Sequence, residues 1–266
     1  MKRSQMILLT LFLCLHRPDP VMAWGANGHR IITETAFALL TPVAKQRILA
    51  ILNGYPIDDA ATWMDSVRIN HVRQFKNMSS WHFLNMDPGQ TYATAGGDTD
   101  VVYNLDRVVQ RLTNGAAIQP DSAFFYIKVL CHLMGDITQP LHVGYGYDIG
   151  GNTVEVQTTK FNRKGLVLHA VWDDVIIEEG KLSETTTLAA CNQFTQAQQE
   201  AIYAGSAQDW MMQARSYLPA VYNFTLVNNG VSKLPPDYLD NNVPVVQQQL
   251  AYAAVRLAHI LNVAFA

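Results

Sequence analysis

Over most of the chain the apolar positions recur at helical intervals. From Ile31 to Leu40 they return every three or four residues, and Pro42 opens a second such segment running toward Leu52. Ile57 to Val67 predicts a third helix, and Leu105 to Leu112 a fourth that stops before Asn114-Gly115. Asp121 is placed to cap a long helix from Ser122 to Ile137, and Pro140 then turns the chain. Farther on, Glu184–Ala204 and Ala207–Tyr217 predict helices, Pro219 to Pro244 is loop-rich, and Val245 to Val263 predicts an apolar final helix. Two stretches break this period. Thr153 to Thr159 alternates with β-branched residues after a glycine-rich turn, Gly144 to Gly151, and predicts a short hairpin strand; Trp81 to Met86 reads as extended. No internal repeat is present. The expected architecture is mainly α, a single compact helical domain with a short β-hairpin, spanning residues 24–266.

Residues 1–23 stand apart from that pattern. Lys2 and Arg3 precede an apolar run from Met6 to Leu15, and Val21-Met22-Ala23 offers a cleavage site, the order of a secretory signal peptide. The run is too short to span a bilayer, so export without stable membrane insertion is expected, to a periplasmic or extracellular location. Cleavage would leave Trp24 as the first residue. Formal net charge is -3, and loss of Lys2, Arg3, Arg17 and Asp19 makes it more negative. A nucleic-acid partner is therefore not advertised by global charge, and metal ions or a local patch would have to supply the attraction. Cys131 and Cys191 allow one disulfide in an oxidising compartment, or two buried thiols.

The chemistry concentrates in a few short runs. In CHLMGDITQPLHVG, His132 and Asp136 are four residues apart and share one helix face, and His142 returns after Pro140. LHAVWDD repeats the spacing with His169 and Asp173. Two helices that each present an imidazole and a carboxylate suit zinc, which accepts both donors. His29, Asp65 and His82 are further candidates upstream. An isolated histidine is more often a hydrogen-bonded structural residue, so His71 and His259, which lack patterned partners, are left out.

Together these runs resemble the S1/P1 family of zinc-dependent nucleases, itself related to bacterial zinc phospholipases C. The matching stretches are Trp24-Gly25 with Gly28-His29, Trp63 to Arg68, Trp81-His82-Phe83, His132 to His142, Asp148 to Asn152, and Leu168 to Asp173. The resemblance implies three Zn2+ ions. One would be held by Trp24, through its freed α-amine and its carbonyl, with His29 and Asp136. A second would be held by Asp65, His82, His132 and Asp136, and a third by His142, His169 and Asp173. It further implies that Asp65 orients the attacking water, that Arg68 and Asn152 serve the phosphate, and that Phe83 stacks on a base. Asp148 and Asn85 would also lie near substrate. Asn85 stands where the family often has a carboxylate, and Thr138 where it commonly has histidine.

The activity implied is endonucleolytic hydrolysis of single-stranded DNA and RNA to 5'-phosphorylated products, with action on 3'-nucleotides, by a monomer. A zinc phospholipase C, or a secreted zinc- or nucleic-acid-binding protein without turnover, are the alternatives the sequence leaves open.

Overall fold

The computed structural model describes residues 24–114, 118–160 and 164–266. The expected signal peptide, 1–23, lies outside the described residues. Helices dominate, as the periodicity predicts: α1 (Ala26–Ala38), α2 (Pro42–Leu52), α3 (Ile57–Ile69), a 3-10 turn at Arg73–Ser80, α4 (Tyr92–Ala95), α5 (Val101–Thr113) and α6 (Pro120–Thr138). After the β excursion come α7 (Leu168–Ala170), a π turn at Val171–Val175 and α8 (Ile176–Glu179), which run on without a break. The chain ends with α9 (Glu184–Cys191), α10 (Gln196–Tyr203), α11 (Ala207–Arg215), α12 (Leu218–Val221) and α13 (Tyr238–Ala264).

The core forms around α6, which is buried without interruption from Ile127 to Thr138. A helix buried on every side must carry neighbours on every side; α1, α3, α5, α11 and α13 pack against it. The same burial places His132 and Asp136 at the centre of the molecule, both 0% exposed.

Three sequence expectations change in detail. The strand Val156–Gln157 (β1) pairs in parallel with Ser232–Lys233 (β2), far along the chain. Among the described residues, the antiparallel return expected of a hairpin survives as a bridge between Glu155 and Val167. Glu184–Ala204 is two helices, because Thr195 and Gln198 form a reciprocal capping box that starts α10 afresh. The final helix begins at Tyr238 and runs through Pro244. Proline forfeits one backbone hydrogen bond there, but the preceding turns are anchored by Tyr238, whose hydroxyl accepts from Trp172 Nε1 at 3.0 Å. Cys131 and Cys191 are both free and buried.

Candidate metal centre

Five segments deliver imidazoles and carboxylates to the buried heart of the fold: α1 brings His29, α3 Asp65, the Trp81–Met86 segment His82, α6 His132 and Asp136, and the loop after α6 His142. His169 and Asp173 come from α7 and the π turn that follows it. Among the described residues, three groups have donor atoms close enough to share an ion: His29, His132 and Asp136; Asp65, His82 and His132; and His142, His169 and Asp173.

Asp136 joins the first two. Its Oδ1 lies 3.4 Å from His29 Nε2, while its Oδ2 lies 3.1 Å from His82 Nδ1 and 3.4 Å from His132 Nε2. Asp65 closes the second group, with Oδ1 3.8 Å from His82 Nδ1 and Oδ2 3.8 Å from His132 Nε2. In the third, Asp173 Oδ2 is 3.3 Å from His169 Nε2. The π turn widens the backbone at this point, a device found at many functional sites.

Backbone carbonyls set the orientation of the rings. His132 Nδ1 meets the Ala61 carbonyl at 2.8 Å, His142 Nδ1 that of His82 at 2.7 Å, and His169 Nδ1 that of Gly150 at 2.6 Å. A carbonyl can only accept, so each Nδ1 carries the proton and each Nε2 is left with a lone pair. His142 Nε2 and His169 Nε2 then face each other at 3.0 Å, lone pair against lone pair. Asp65 Oδ2, both oxygens of Asp136 and Asp173 Oδ2 are buried without a hydrogen-bond partner. Such an arrangement is costly unless a cation lies among the donors, which is how the residues fit zinc.

Electrostatics agree. Burial pushes the Asp136 and Asp173 carboxyls well above the usual carboxylate range, the second partly opposed by a hydrogen bond from Gln139. Burial likewise holds His82 and His142 well below the ordinary imidazole value, lowers His132, and brings His169 down to about 4. The histidines are thus kept neutral, as ligands must be. The carboxylates need a neighbouring dication to stay ionised.

A cleft of about 100 Å³ opens onto the centre, lined by Arg68, His82, Phe83, Asn85, Leu141, His142, Ile149, Asn152 and His169. Phe83 is 40% exposed at its mouth. Arg68 Nη2 donates to Asp65 Oδ1 at 2.8 Å, so it braces that carboxylate while bordering the cleft. The Asn152 amide donates to the Ile149 carbonyl at 2.8 Å and lies 3.1 Å from His169 Nδ1, whose own proton goes to Gly150. Asp148, expected near substrate, braces the turn beside the cleft: one oxygen accepts from Gly151 N at 3.0 Å and the other from the Tyr222 hydroxyl at 2.5 Å.

Trp24 is fully buried at the head of α1, its indole donating to Thr138 Oγ1 at 3.4 Å. Thr138 therefore serves as a seat for Trp24. Gly25 N donates to the Asp173 carbonyl at 3.0 Å, and a Cβ on Gly25 would fall on the Asp174 carboxylate, so a larger residue there would have to push that side chain aside. His71 and His259 lie elsewhere. His71 is exposed, and His259 stacks on Tyr203 at 3.6 Å.

Several contributors carried no motif. Gln139 donates to Asp173 Oδ1 at 2.7 Å and accepts from Leu141 N. Arg215, from α11, donates to the carbonyls of Met86, Val143 and Gly144, tying the segment that bears His82 to the loop that bears His142. Gly135 admits His29, since a Cβ there would stand 2.6 Å from the ring. The sequence signal for Gly135 was its place between His132 and Asp136; Arg215 had none.

The sequence profile of the S1/P1 nuclease family matches residues 24–266. Endonuclease 2 of Arabidopsis thaliana is 27% identical, over 97% of this chain and 95% of its own length. Nuclease S1 of Aspergillus oryzae is 22% identical, over 90% of this chain and 91% of its own, and Nuclease P1 of Penicillium citrinum 23%, over 90% and 97%.

Proposed function

The chain belongs to the S1/P1 nuclease family, and from that premise we propose that it is an exported endonuclease that hydrolyses single-stranded DNA and RNA to 5'-phosphorylated products and acts on 3'-nucleotides. The observation that carries the reading is the set of buried carboxylate and imidazole donors converging through Asp136, a metal-binding arrangement with a cleft at its edge. We assign three zinc ions to the sites read from the sequence: Trp24, His29 and Asp136; Asp65, His82, His132 and Asp136; and His142, His169 and Asp173.

Bound zinc supplies acidified water and neutralises phosphate charge. The protein's own groups do the rest. Asp65, held by Arg68, orients the attacking water. Arg68 lines the cleft, where its guanidinium meets a phosphate oxygen. Asn152 ties down the turn through the Ile149 carbonyl and lines the cleft, where its amide can donate to a phosphate oxygen. Phe83 offers an exposed ring at the mouth on which a base stacks, and Asn85 beside it can donate and accept at a base edge. Since Trp24 contributes its amine only after residues 1–23 are removed, export and assembly of the site are one process. Asp148 holds the turn on which Gly150 and Asn152 sit.

Stacking on Phe83 requires an unpaired base, which a duplex withholds. Cleavage of a single strand is therefore expected to exceed that of the matched duplex by about 5- to 150-fold, given a stacking gain of roughly 1–3 kcal/mol per base. Equal rates on the two would overturn the strand preference. Release of a phosphorylated headgroup from phosphatidylcholine vesicles, without cleavage of nucleic acid, would point to a phospholipase C.

A further inference from the structure

A larger cavity, of about 590 Å³, shares a wall with the metal cleft. That wall is the turn following His142. Ile149 and Asn152 line the cleft, whereas Tyr147, Asp148 and Thr153 line the cavity. The facing side is the Leu226 to Gly230 segment. Its size suits a small organic group, for which sites of roughly 300–1,000 Å³ are usual.

The wall is rigid and ends in an exposed aromatic. Tyr147 stacks on Tyr145 with centroids 5.1 Å apart and planes at 17°; Tyr145 packs on Tyr222 at 5.3 Å, and Tyr222 on Phe224 at 6.5 Å. The Tyr222 hydroxyl is fixed by Asp148, so the column is locked to the same turn that holds His169 through Gly150. Tyr147 is the outermost ring and is 61% exposed. Among the described residues no cationic side chain lines the cavity; its polar groups there are Asp148, Thr153, Glu155, Asn228 and Asn229. Such a site is not made for phosphate. It suits a neutral planar heterocycle that stacks on Tyr147 and turns a hydrogen-bonding edge toward amides and a carboxylate.

We propose that this cavity binds the nucleobase on the far side of the scissile phosphate from the one on Phe83, with Tyr147 as its stacking platform. The inference rests on the nuclease reading, and its test separates the two. Zinc-loaded wild type, Tyr147→Ala and Tyr147→Phe are compared on an adenine dinucleoside monophosphate and on adenosine 3'-(methyl phosphate), a diester with no second base. Tyr147→Ala is expected to lower kcat/KM for the dinucleotide about tenfold, in the range for loss of one base stack, and to leave the methyl diester unchanged. Tyr147→Phe should retain wild-type rates on both. An equal loss on both substrates would reduce Tyr147 to a prop for the turn, and no loss on either would leave the cavity without this role; both results overturn the proposal. Wild type that cleaves neither substrate would overturn the nuclease reading, and the cavity's role with it.

Discussion

The carboxylate of Asp173 shows how much depends on single atoms. Its Oδ2 points at His169 Nε2, and its Oδ1 accepts from Gln139 Nε2 at 2.7 Å. Gln139 itself is locked because its own oxygen accepts from Leu141 N. Removing such an outer partner commonly costs about 10- to 100-fold in metal affinity. Gln139→Leu is accordingly expected to weaken zinc at the site of His142, His169 and Asp173 by about that factor, with the other sites retained, as competition with a chromophoric chelator would report. Full retention of all zinc would show that Asp173 needs no such support. Glutamine after Asp136 looks unremarkable in the sequence, because nothing local says that its amide reaches a residue 34 positions away.

Helix α6 is the element on which the centre turns, and its glycine is as necessary as its ligands. His29 stacks on His132 with centroids 3.9 Å apart, which brings the α1 ring over Gly135. Gly135→Ala would place a methyl 2.6 Å from His29 Nδ1. Overpacking of this kind costs about 1–3 kcal/mol. The expected result is a lower melting temperature together with loss of zinc from the His29 and Asp136 site; unchanged zinc content and stability would mean that α1 and α6 can part without harm. Helices of this kind were readable from the sequence wherever burial imposed a period, as in α2, whose bounds match the prediction at Pro42 and Leu52. Boundaries failed where local chemistry and tertiary packing disagreed. Pro244 looked like a stop, yet buried Tyr238, Leu239 and Asn242 carry α13 through it. The partner of β1 could not be read either, since two residues of strand pair with a segment in a loop-rich region.

At the scale of the whole molecule, the donors brought together at the centre come from His29 to Asp173, and the helices beyond act as walls and clamps. That division was partly legible. The histidines and aspartates stood in short patterned runs, so their convergence could be anticipated; the clamp from Arg215 and the column from Tyr147 to Phe224 depend on side chains that meet only in the folded chain. No described helix is long and apolar enough to cross a membrane, and the cleft lined by Phe83 opens beside His82, His142 and His169. The most direct test joins these levels in one preparation: protein beginning at Trp24, its zinc content measured, incubated with single-stranded DNA with and without a chelator, beside the full 266-residue chain. Three zinc ions per chain and chelator-sensitive fragments bearing 5'-phosphates are expected from the processed protein, with less zinc and less cleavage from the chain that keeps residues 1–23. Zinc-loaded processed protein that leaves the strand intact, or cleavage indifferent to chelation, would contradict a zinc-dependent nuclease built on these residues.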